Sequence, residues 1–188
     1  MALRPVIQAC MRDKCGGIYF SDITGVYHAT NNTGGWGTPN LQGSDITAAT
    51  LTILFPSGDD EEYDLLSQIP STISGDIDFN VIEGTYEDGI YTFTYTVTDG
   101  TTSATKVLKK LFLCNATCCV DKMWAKIPEY IVTKDEKFMK NYIEQTNYAQ
   151  GLLNGISAAG GCLNTDAVEA ILDKVERICE FEKCQSCN

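Results

Sequence analysis

The chain has 188 residues, a net charge of −11 at pH 7 and 44% apolar residues, which indicates a globular protein of one domain or one domain with an appendage. It contains no run of about 18 apolar residues, so we predict no transmembrane helix. Between Cys15 and Thr105 there are thirteen carboxylates but no lysine or arginine, which argues against nucleic-acid binding there because that affinity rests on cations. The first residues lack the apolar segment of a secretory signal, and we expect the protein to be made in the cytoplasm with reduced thiols.

The first half of the chain predicts short strands separated by loops. The patterns indicate strands at 18–20, 45–55 and 79–82, and a strand or helical turn at 63–69. The carboxylates of 59–62 are predicted to form a solvated turn, and the segment 28–40, rich in glycine and asparagine, a long loop. Trp36 lies between two glycines of that loop. It can anchor an interface or fold back onto its own core, and the sequence leaves both interpretations open.

A strong strand pattern follows at 90–97, where the sequence reads IYTFTYTV. The side chains of one parity are apolar, and threonines occupy the other, so we predict a strand with one buried and one solvated face; the apolar residues are Tyr91, Phe93, Tyr95 and Val97. Asp-Gly turns at 88–89 and 99–100 flank the strand, and 103–113 is predicted to return beside it as an antiparallel hairpin. Several short strands without intervening helices predict an antiparallel β-sandwich over residues 1–118.

Residues 119–188 change to a helical pattern. We predict a short helix at 120–127 that ends before Pro128, and then a long helix that Thr133 and Glu136 begin as a capping box. Thr165 is predicted to start a further helix, so the last two helices form an antiparallel hairpin joined by 157–164. The apolar stripe of the first hairpin helix is predicted to be Phe138, Tyr142, Ile143, Ala149, Leu152, Leu153 and Ile156. The stripe of the second is predicted to be Val168, Ile171, Leu172, Val175, Ile178 and Cys179.

Residues arranged for catalysis are scarce in the sequence. Its single histidine, His28, is predicted to lie in the glycine-rich loop, and any Ser-His-Asp or Cys-His system would have to use it. No nucleophile elbow, phosphate-binding loop, dinucleotide fingerprint or metalloprotease motif occurs, and the acidic cluster at 59–62 does not match an EF-hand. We therefore predict that the protein is not an enzyme.

The nine cysteines are the remaining residues that could bind a metal or form covalent bonds. Three groups are evident: Cys10 and Cys15; Cys114, Cys118 and Cys119; and Cys179, Cys184 and Cys187, of which the last two form a C-x-x-C. Thiolates of the last two groups are weak candidates for a structural zinc site, since tetrahedral zinc could take ligands from both. Free or buried thiols and disulfides are the alternatives, and the odd count argues against a complete set of intrachain disulfides.

Four segments carry a resemblance to a known group of proteins. They are F-x-D-x-T-G-x-Y at 20–27, N-N-T-G-G-W-G-T-P-N at 31–40, D-G-I-Y-T-F-T-Y-T-V at 88–97 and L-F-L-C-N-A-T-C-C-V-D-K at 111–122. Together they resemble small virion proteins of short-tailed bacteriophages, particularly crAss-like phages. The resemblance implies an immunoglobulin-like β-sandwich in a structural, non-enzymatic subunit of a tail or neck ring or adaptor, where the head joins the tail and DNA is ejected. It also implies a homo-oligomeric ring, with twelve-fold symmetry expected from the resemblance alone.

Ring subunits contact their two neighbours through different surfaces, which need apolar anchors. We expect Trp36 and the aromatic residues of the helical hairpin to supply them, because a two-helix arm cannot bury so much aromatic surface against itself; the hairpin residues are Phe138, Tyr142 and Tyr148, with Tyr130 nearby. Partners would be other tail or neck proteins, without a membrane or specific nucleic-acid binding. The alternatives are a host-surface or glycan-binding β-sandwich of the virion, and a small zinc or thiol protein.

Overall fold

Six strands followed by three helices form the described part of the computed structural model, which covers residues 2–11, 18–28, 47–66, 87–159 and 164–185. The strands are β1 (Ala2–Met11), β2 (Ile18–His28), β3 (Ala48–Leu54), β4 (Asp60–Asp64), β5 (Gly89–Thr98) and β6 (Ser103–Phe112). The helices are α1 (Cys114–Thr133), α2 (Glu136–Ala159) and α3 (Thr165–Gln185). The predicted α+β composition, with the sheets before the helices, is confirmed.

Two compact units divide the chain. The sheet unit comprises Met1–Thr85 and Tyr91–Lys110, and the helical unit comprises Tyr86–Ile90 and Leu111–Asn188. The main division after Lys110 therefore precedes the boundary predicted at residue 118, because α1 already begins at Cys114.

β5 is an inner strand of a four-stranded antiparallel sheet with the order β4-β3-β5-β6. Its pairing with β3 places Leu51 opposite Tyr95 and Ile53 opposite Phe93, and these four side chains are fully buried. The aromatic parity therefore faces the core, as predicted, since tyrosine and phenylalanine lose more apolar area from water than threonine does. The threonines on the opposite face are half-buried among their neighbours on β3 and β6.

A second sheet pairs β1 with β2 in antiparallel register. The sequence predicted only three residues of β2 and nothing of β1. Ile7 of β1 is buried, and Pro5, opposite Gly25, is tolerated within the strand because a proline at a sheet edge needs no hydrogen-bond donor. The antiparallel pairing of the strands is thus confirmed, whereas the predicted immunoglobulin-like sandwich is not. Trp36 and the predicted strand at 79–82 lie outside the described residues.

The acidic segment predicted to be a turn is strand β4 instead. Its register with β3 runs from Leu54 opposite Asp60 to Thr50 opposite Asp64. The preceding turn is shorter than predicted and is closed by hydrogen bonds between Phe55 and both Gly58 and Asp59, with Gly58 at φ 92°. The prediction failed because carboxylates disfavour strand interiors, but an outer strand keeps them in water.

Tyr95 buries a hydroxyl for which no hydrogen-bond partner is found among the described residues, and burial raises the pKa of that hydroxyl. Tyr95→Phe should therefore leave the free energy of unfolding unchanged or raise it by up to about 1 kcal/mol, because no hydrogen bond is lost. The matched control is Tyr142→Phe, whose Oη donates to the carbonyl of Met123 at 3.3 Å; it should cost about 1 kcal/mol. Equal losses in urea titrations of the two variants would contradict the difference between the two sites.

The start of α1 is fixed by a carboxylate from earlier in the chain. Asp88 accepts hydrogen bonds from the backbone N–H groups of Asn115 at 2.8 Å and Ala116 at 2.5 Å. It thereby satisfies donors that a helix leaves unpaired in its first turn, and its charge suits the positive end of the helix dipole. Burial raises the pKa of the Asp88 carboxyl, and the backbone N–H groups at the helix start oppose this rise.

Pro128 does not end the helix, contrary to the prediction. α1 continues to Thr133 with Pro128 inside it, although a proline in a helix interior removes one hydrogen bond and costs about 3 kcal/mol. The extra turn brings Tyr130 into the bundle core, where its ring lies 5.0 Å from Tyr142 and 5.6 Å from Phe138. Burial of that aromatic side chain offsets much of the proline cost.

The N-cap of α2 is also different from the prediction. Asp135, and not Thr133, caps the helix, with its Oδ1 accepting from the backbone N–H of Phe138 at 2.8 Å. Thr133 is the last residue of α1, and its hydroxyl donates to the carbonyl of Glu129 at 3.0 Å. The capping-box prediction failed because it assumed that the preceding helix had already ended.

All three helices contribute to one apolar core. The buried residues are Val120, Met123 and Tyr130 on α1, Met139, Tyr142, Ala149, Leu153 and Ile156 on α2, and Val175, Ile178 and Cys179 on α3. The two apolar stripes predicted for the hairpin are therefore confirmed, but α1 adds a third helix to what was expected to be a two-helix arm. None of the described helices is long and apolar enough to cross a membrane.

Candidate interaction surfaces

The outward face of the four-stranded sheet is lined with hydroxyl groups, and we call it the threonine face. It consists of Thr50 and Thr52 on β3, Thr92, Thr94, Thr96 and Thr98 on β5, and Ser103 and Thr105 on β6. Hydroxyl pairs bridge β5 and β6, with 2.9 Å between Thr96 and Thr105 and 2.8 Å between Thr98 and Ser103. These bridges and the β-branched side chains make the centre of this face stiff and uncharged.

One outer strand of the described sheet, β4, is acidic. Asp60, Glu61, Glu62 and Asp64 are all exposed. The hydroxyl of Tyr63 donates to Glu61, and burial, followed by this hydrogen bond and the negative charge, raises the pKa of Tyr63 to about 12. Lysine and arginine are absent between Cys15 and Thr105, so neither β4 nor its neighbour β3 carries a cation.

The other outer strand, β6, is basic. Lys106, Lys109 and Lys110 are exposed, and Val107 between them leaves 52% of its surface in water. These are the first cations in the sequence after Lys14. The sheet therefore carries opposite charges on its two outer strands, separated by the neutral strands β3 and β5.

The turn between β5 and β6 fixes the position of the basic strand. Asp99 accepts from the backbone N–H groups of Thr102 at 2.7 Å and Thr101 at 2.8 Å, and from both of their hydroxyls. These hydrogen bonds, of which the Thr102 N–H contributes most, lower the pKa of Asp99 well below its usual range. Gly100 adopts φ 86°, a conformation that suits glycine. The register of the lysines is thus set by a well-defined turn.

The aromatic residues predicted to form an interface separate into buried and exposed ones. Tyr142 is fully buried and Phe138 is half-buried, and their rings stack with centroids 5.8 Å apart. Lys134 lies over the rings of Tyr130 and Phe138 at 5.8 and 5.6 Å. Tyr142 therefore has no surface to offer a partner, because α1 covers aromatic surface that a two-helix arm would have left exposed.

Tyr148 is the predicted interface residue that remains open, with 53% of its surface exposed on α2. Sequence reasoning missed a larger apolar group at the end of α1, where Ile131 is 62% and Val132 is 84% exposed. Trp124, on the same helix, is 38% exposed. These residues were missed because the helix was predicted to end at Pro128, which removed the helical context of 131–132.

Three cysteines of the helical unit are disulfide-bonded, whereas reduced thiols were the expectation and disulfides an alternative. Cys119 on α1 and Cys179 on α3 form a disulfide with Cα atoms 6.2 Å apart, within the usual range, and Cys114 is disulfide-bonded as well. In this state these three residues offer no thiolate to a zinc ion, so their candidacy as ligands is not supported. Cys118 is an exposed free thiol, and the side chains of Cys184 and Cys187 lie outside those described.

Among the described residues, no cluster of three or more histidine, cysteine or acidic residues is found that could hold a metal ion. His28 is the last residue of β2 rather than part of a loop, and its side chain lies outside those described. No protein-family model, curated protein or solved structure matches the chain. We therefore base its proposed function on the surfaces described above.

Proposed function

We propose that this protein is a non-enzymatic structural subunit that assembles with further copies of itself into a ring of a bacteriophage tail or neck. The observation that supports this most is the exposed apolar surface of the helical unit at Ile131 and Val132. Large apolar side chains that are mostly exposed in a single chain mark sites of protein contact when they cluster. Ile131 and Val132 are adjacent, and the resemblance to virion proteins of short-tailed phages supplies the setting.

The disulfide between Cys119 and Cys179 supports a virion location. Disulfides persist in oxidising surroundings, which include the surfaces of virions, whereas cytoplasmic thiols are kept reduced. A subunit made in the host cytoplasm would acquire this cross-link after assembly or release. Oxidised cysteines also weaken the alternative of a zinc protein.

The charge of the sheet unit supports a position along the path of DNA. Between Cys15 and Thr105 the chain has thirteen carboxylates and no cation, and the threonine face adds neutral hydroxyls. The segment from Cys15 to Thr105 therefore offers DNA no positive charge to displace its counterions, so DNA would pass along it without being retained; the cations of the unit lie outside this segment, before Cys15 and on β6. Within this unit we propose that the two sheets face each other as an immunoglobulin-like sandwich, because the buried face of β5 and Ile7 of β1 both need apolar partners.

Sedimentation of the full chain tests the assembly. We expect a closed oligomer, of twelve copies if the resemblance extends to symmetry, that dissociates on dilution. Ile131→Asp with Val132→Asp should weaken association by about tenfold or more, because it places two charges in an apolar contact. The matched control is Ala167→Asp with Ala170→Asp, which adds the same charges to exposed positions of α3 and should leave the mass unchanged.

A parent chain that stays monomeric at about 100 μM, where contacts of even modest affinity form, would overturn the proposed ring. A monomer that binds host-surface glycans would favour the alternative of a host-surface module. A ring that tolerates both aspartates at 131–132 would show that the end of α1 lies outside the subunit contact.

A further inference from the structure

We propose that neighbouring copies meet edge to edge, with the acidic strand β4 of one copy against the basic strand β6 of the next. This inference rests on the proposed assembly into a ring and adds a contact between sheet units to the one proposed at Ile131 and Val132. β4 and β6 are the outer strands of the described sheet, and each has one described neighbour. An outer strand presents backbone N–H and C=O groups that another strand can pair with.

Strand order and length make the two edges compatible. β4 has five residues and β6 has ten, so β6 is long enough to accept the whole of β4. Both belong to the sheet unit as far as Lys110, and they are three strand spacings apart, or about 14 Å. One copy can therefore use both edges at once, which a ring requires.

Carboxylates occupy both sides of β4. Asp60, Glu62 and Asp64 pair with Leu54, Thr52 and Thr50 of β3, which places them on the threonine face. Glu61 pairs with Ile53 and lies on the opposite side. The acidic edge therefore meets a partner strand with negative charge on both of its sides.

Lysines occupy both sides of β6 in the same way. Thr105 lies on the threonine face because its hydroxyl contacts that of Thr96, and alternation along the strand then places Lys109 on this face as well. Lys106 and Lys110 fall on the other side. When β4 and β6 of successive copies meet, each side of the joined sheet brings a carboxylate near a lysine, and opposite charges on facing strands attract.

The signs of the charges select one kind of assembly. Two β4 strands would bring carboxylates together, and two β6 strands would bring lysines together, so contacts between identical edges are repelled. Unlike edges attract each other. A pair of copies joined in this way keeps one unpaired acidic edge and one unpaired basic edge, to which further copies can add. Such a head-to-tail contact builds a ring when its rotation closes.

Charges on outer strands also prevent unwanted aggregation, and this is the simpler explanation of each edge taken separately. Protection alone requires only that an edge be charged, and edges of one sign protect a protein against all copies of itself. Here the two edges have opposite signs and lie on the two sides of one sheet. This combination protects against like edges and permits unlike ones.

Charge reversal on one edge at a time tests the contact. In the acidic-edge variant, Asp60→Lys, Glu61→Lys and Glu62→Lys leave three lysines and Asp64 on β4 and make both edges basic; in the basic-edge variant, Lys106→Glu and Lys109→Glu leave two glutamates and one lysine on β6 and make both edges acidic. Asp60 and Glu62 are suitable because neither side chain has a hydrogen bond among the described residues, and Glu61 loses a hydrogen bond from Tyr63 of the same strand. For each variant alone, we expect the association constant between copies to fall by about tenfold or more, because every contact then joins edges of like charge.

Mixing the two full-length variants in equal amounts should restore the oligomer. Both edges of the acidic-edge variant are basic and both edges of the basic-edge variant are acidic, so every contact between unlike variants joins opposite charges. Sedimentation of each variant and of the mixture measures this, and circular dichroism checks that each variant is folded. The oligomer of the parent chain should also weaken as salt rises, because exposed charges are screened.

Two controls keep the charge changes equal. Lys140→Glu with Lys174→Glu matches the basic-edge variant, and Glu169→Lys, Asp173→Lys and Glu176→Lys match the acidic-edge variant; all five positions are exposed on α2 or α3. Both controls should assemble as the parent chain does. If they dissociate as the edge variants do, net charge and not the edge contact governs assembly, and the inference is wrong.

The remaining outcomes separate this inference from the proposed function. A monomeric parent chain would overturn the ring itself. A parent chain that forms an oligomer, together with edge variants that assemble equally well alone, would leave the ring standing and remove the edge contact. Folded variants that fail alone and also fail when mixed would likewise contradict pairing between β4 and β6.

Discussion

Phe93→Ala should lower the free energy of unfolding of the sheet unit by about 3–5 kcal/mol. Phe93 is fully buried on β5, and its ring stacks on Tyr91 with 6.2 Å between centroids. Alanine would leave a cavity between the strands β3 and β5, because Ile53 lies directly opposite and a packed sheet collapses only partly. Urea denaturation followed by circular dichroism measures the loss, with the β-sheet and helical signals analysed separately.

Thr94→Val is the matched control for this prediction. Thr94 is the next residue on β5, but it lies on the threonine face and is half-buried. Valine keeps its volume and β-branching, so the expected change is within about 0.5 kcal/mol. A loss of less than about 1 kcal/mol for Phe93→Ala would mean that the aromatic face of β5 is not the core of the sheet unit.

Local sequence patterns were sufficient for β5 and for the hairpin helices. In β5 aromatic residues and threonines alternate, so a single pattern predicts both the strand and which of its faces is buried. The apolar stripes of α2 and α3 follow equally from helical spacing. In these elements local preference and tertiary packing agree, which is why a short window predicted them.

Packing over longer distances decided the elements that were missed. β1 is an exception, because its partner β2 follows after six residues; it was missed because it has no clear alternation and contains Pro5. Pro128 lies within α1 because Tyr130 packs on α2, a contact that no local rule for proline includes. The N-cap at Asp135 follows from the same extension of α1.

The candidate interface was only partly visible in the sequence for a related reason. The acidic run at 59–62 and the lysines at 106–110 are evident by eye, but their meaning depends on the strand order β4-β3-β5-β6. β3 pairs with β5, so the first strand of this sheet in the sequence lies inside it and the second, β4, becomes an outer strand. Opposite charge on opposite edges is therefore a property of the topology.

Removal of the disulfide by Cys119→Ala with Cys179→Ala should lower the free energy of unfolding of the helical unit by about 4 kcal/mol under non-reducing conditions. The bond joins residues 60 positions apart, so the unfolded chain that contains it is confined to a large loop. Without it the unfolded state gains entropy, and the contact between α1 and α3 relies on packing alone. Alanine avoids placing a serine hydroxyl at Cys179, which is buried.

Cys118→Ala provides the control, because Cys118 is an exposed free thiol beside Cys119 and should change stability by less than about 0.5 kcal/mol. In the folded parent chain, alkylation followed by peptide mass spectrometry should modify Cys118 and leave Cys119 and Cys179 unmodified. A metal chelator should have no effect on the urea midpoint of the parent chain, since a disulfide needs no ion. Unfolding by a chelator, or alkylation of Cys179 in the folded chain, would instead show that Cys119 and Cys179 are reduced. A zinc site formed by these thiolates would then again be an alternative to the disulfide.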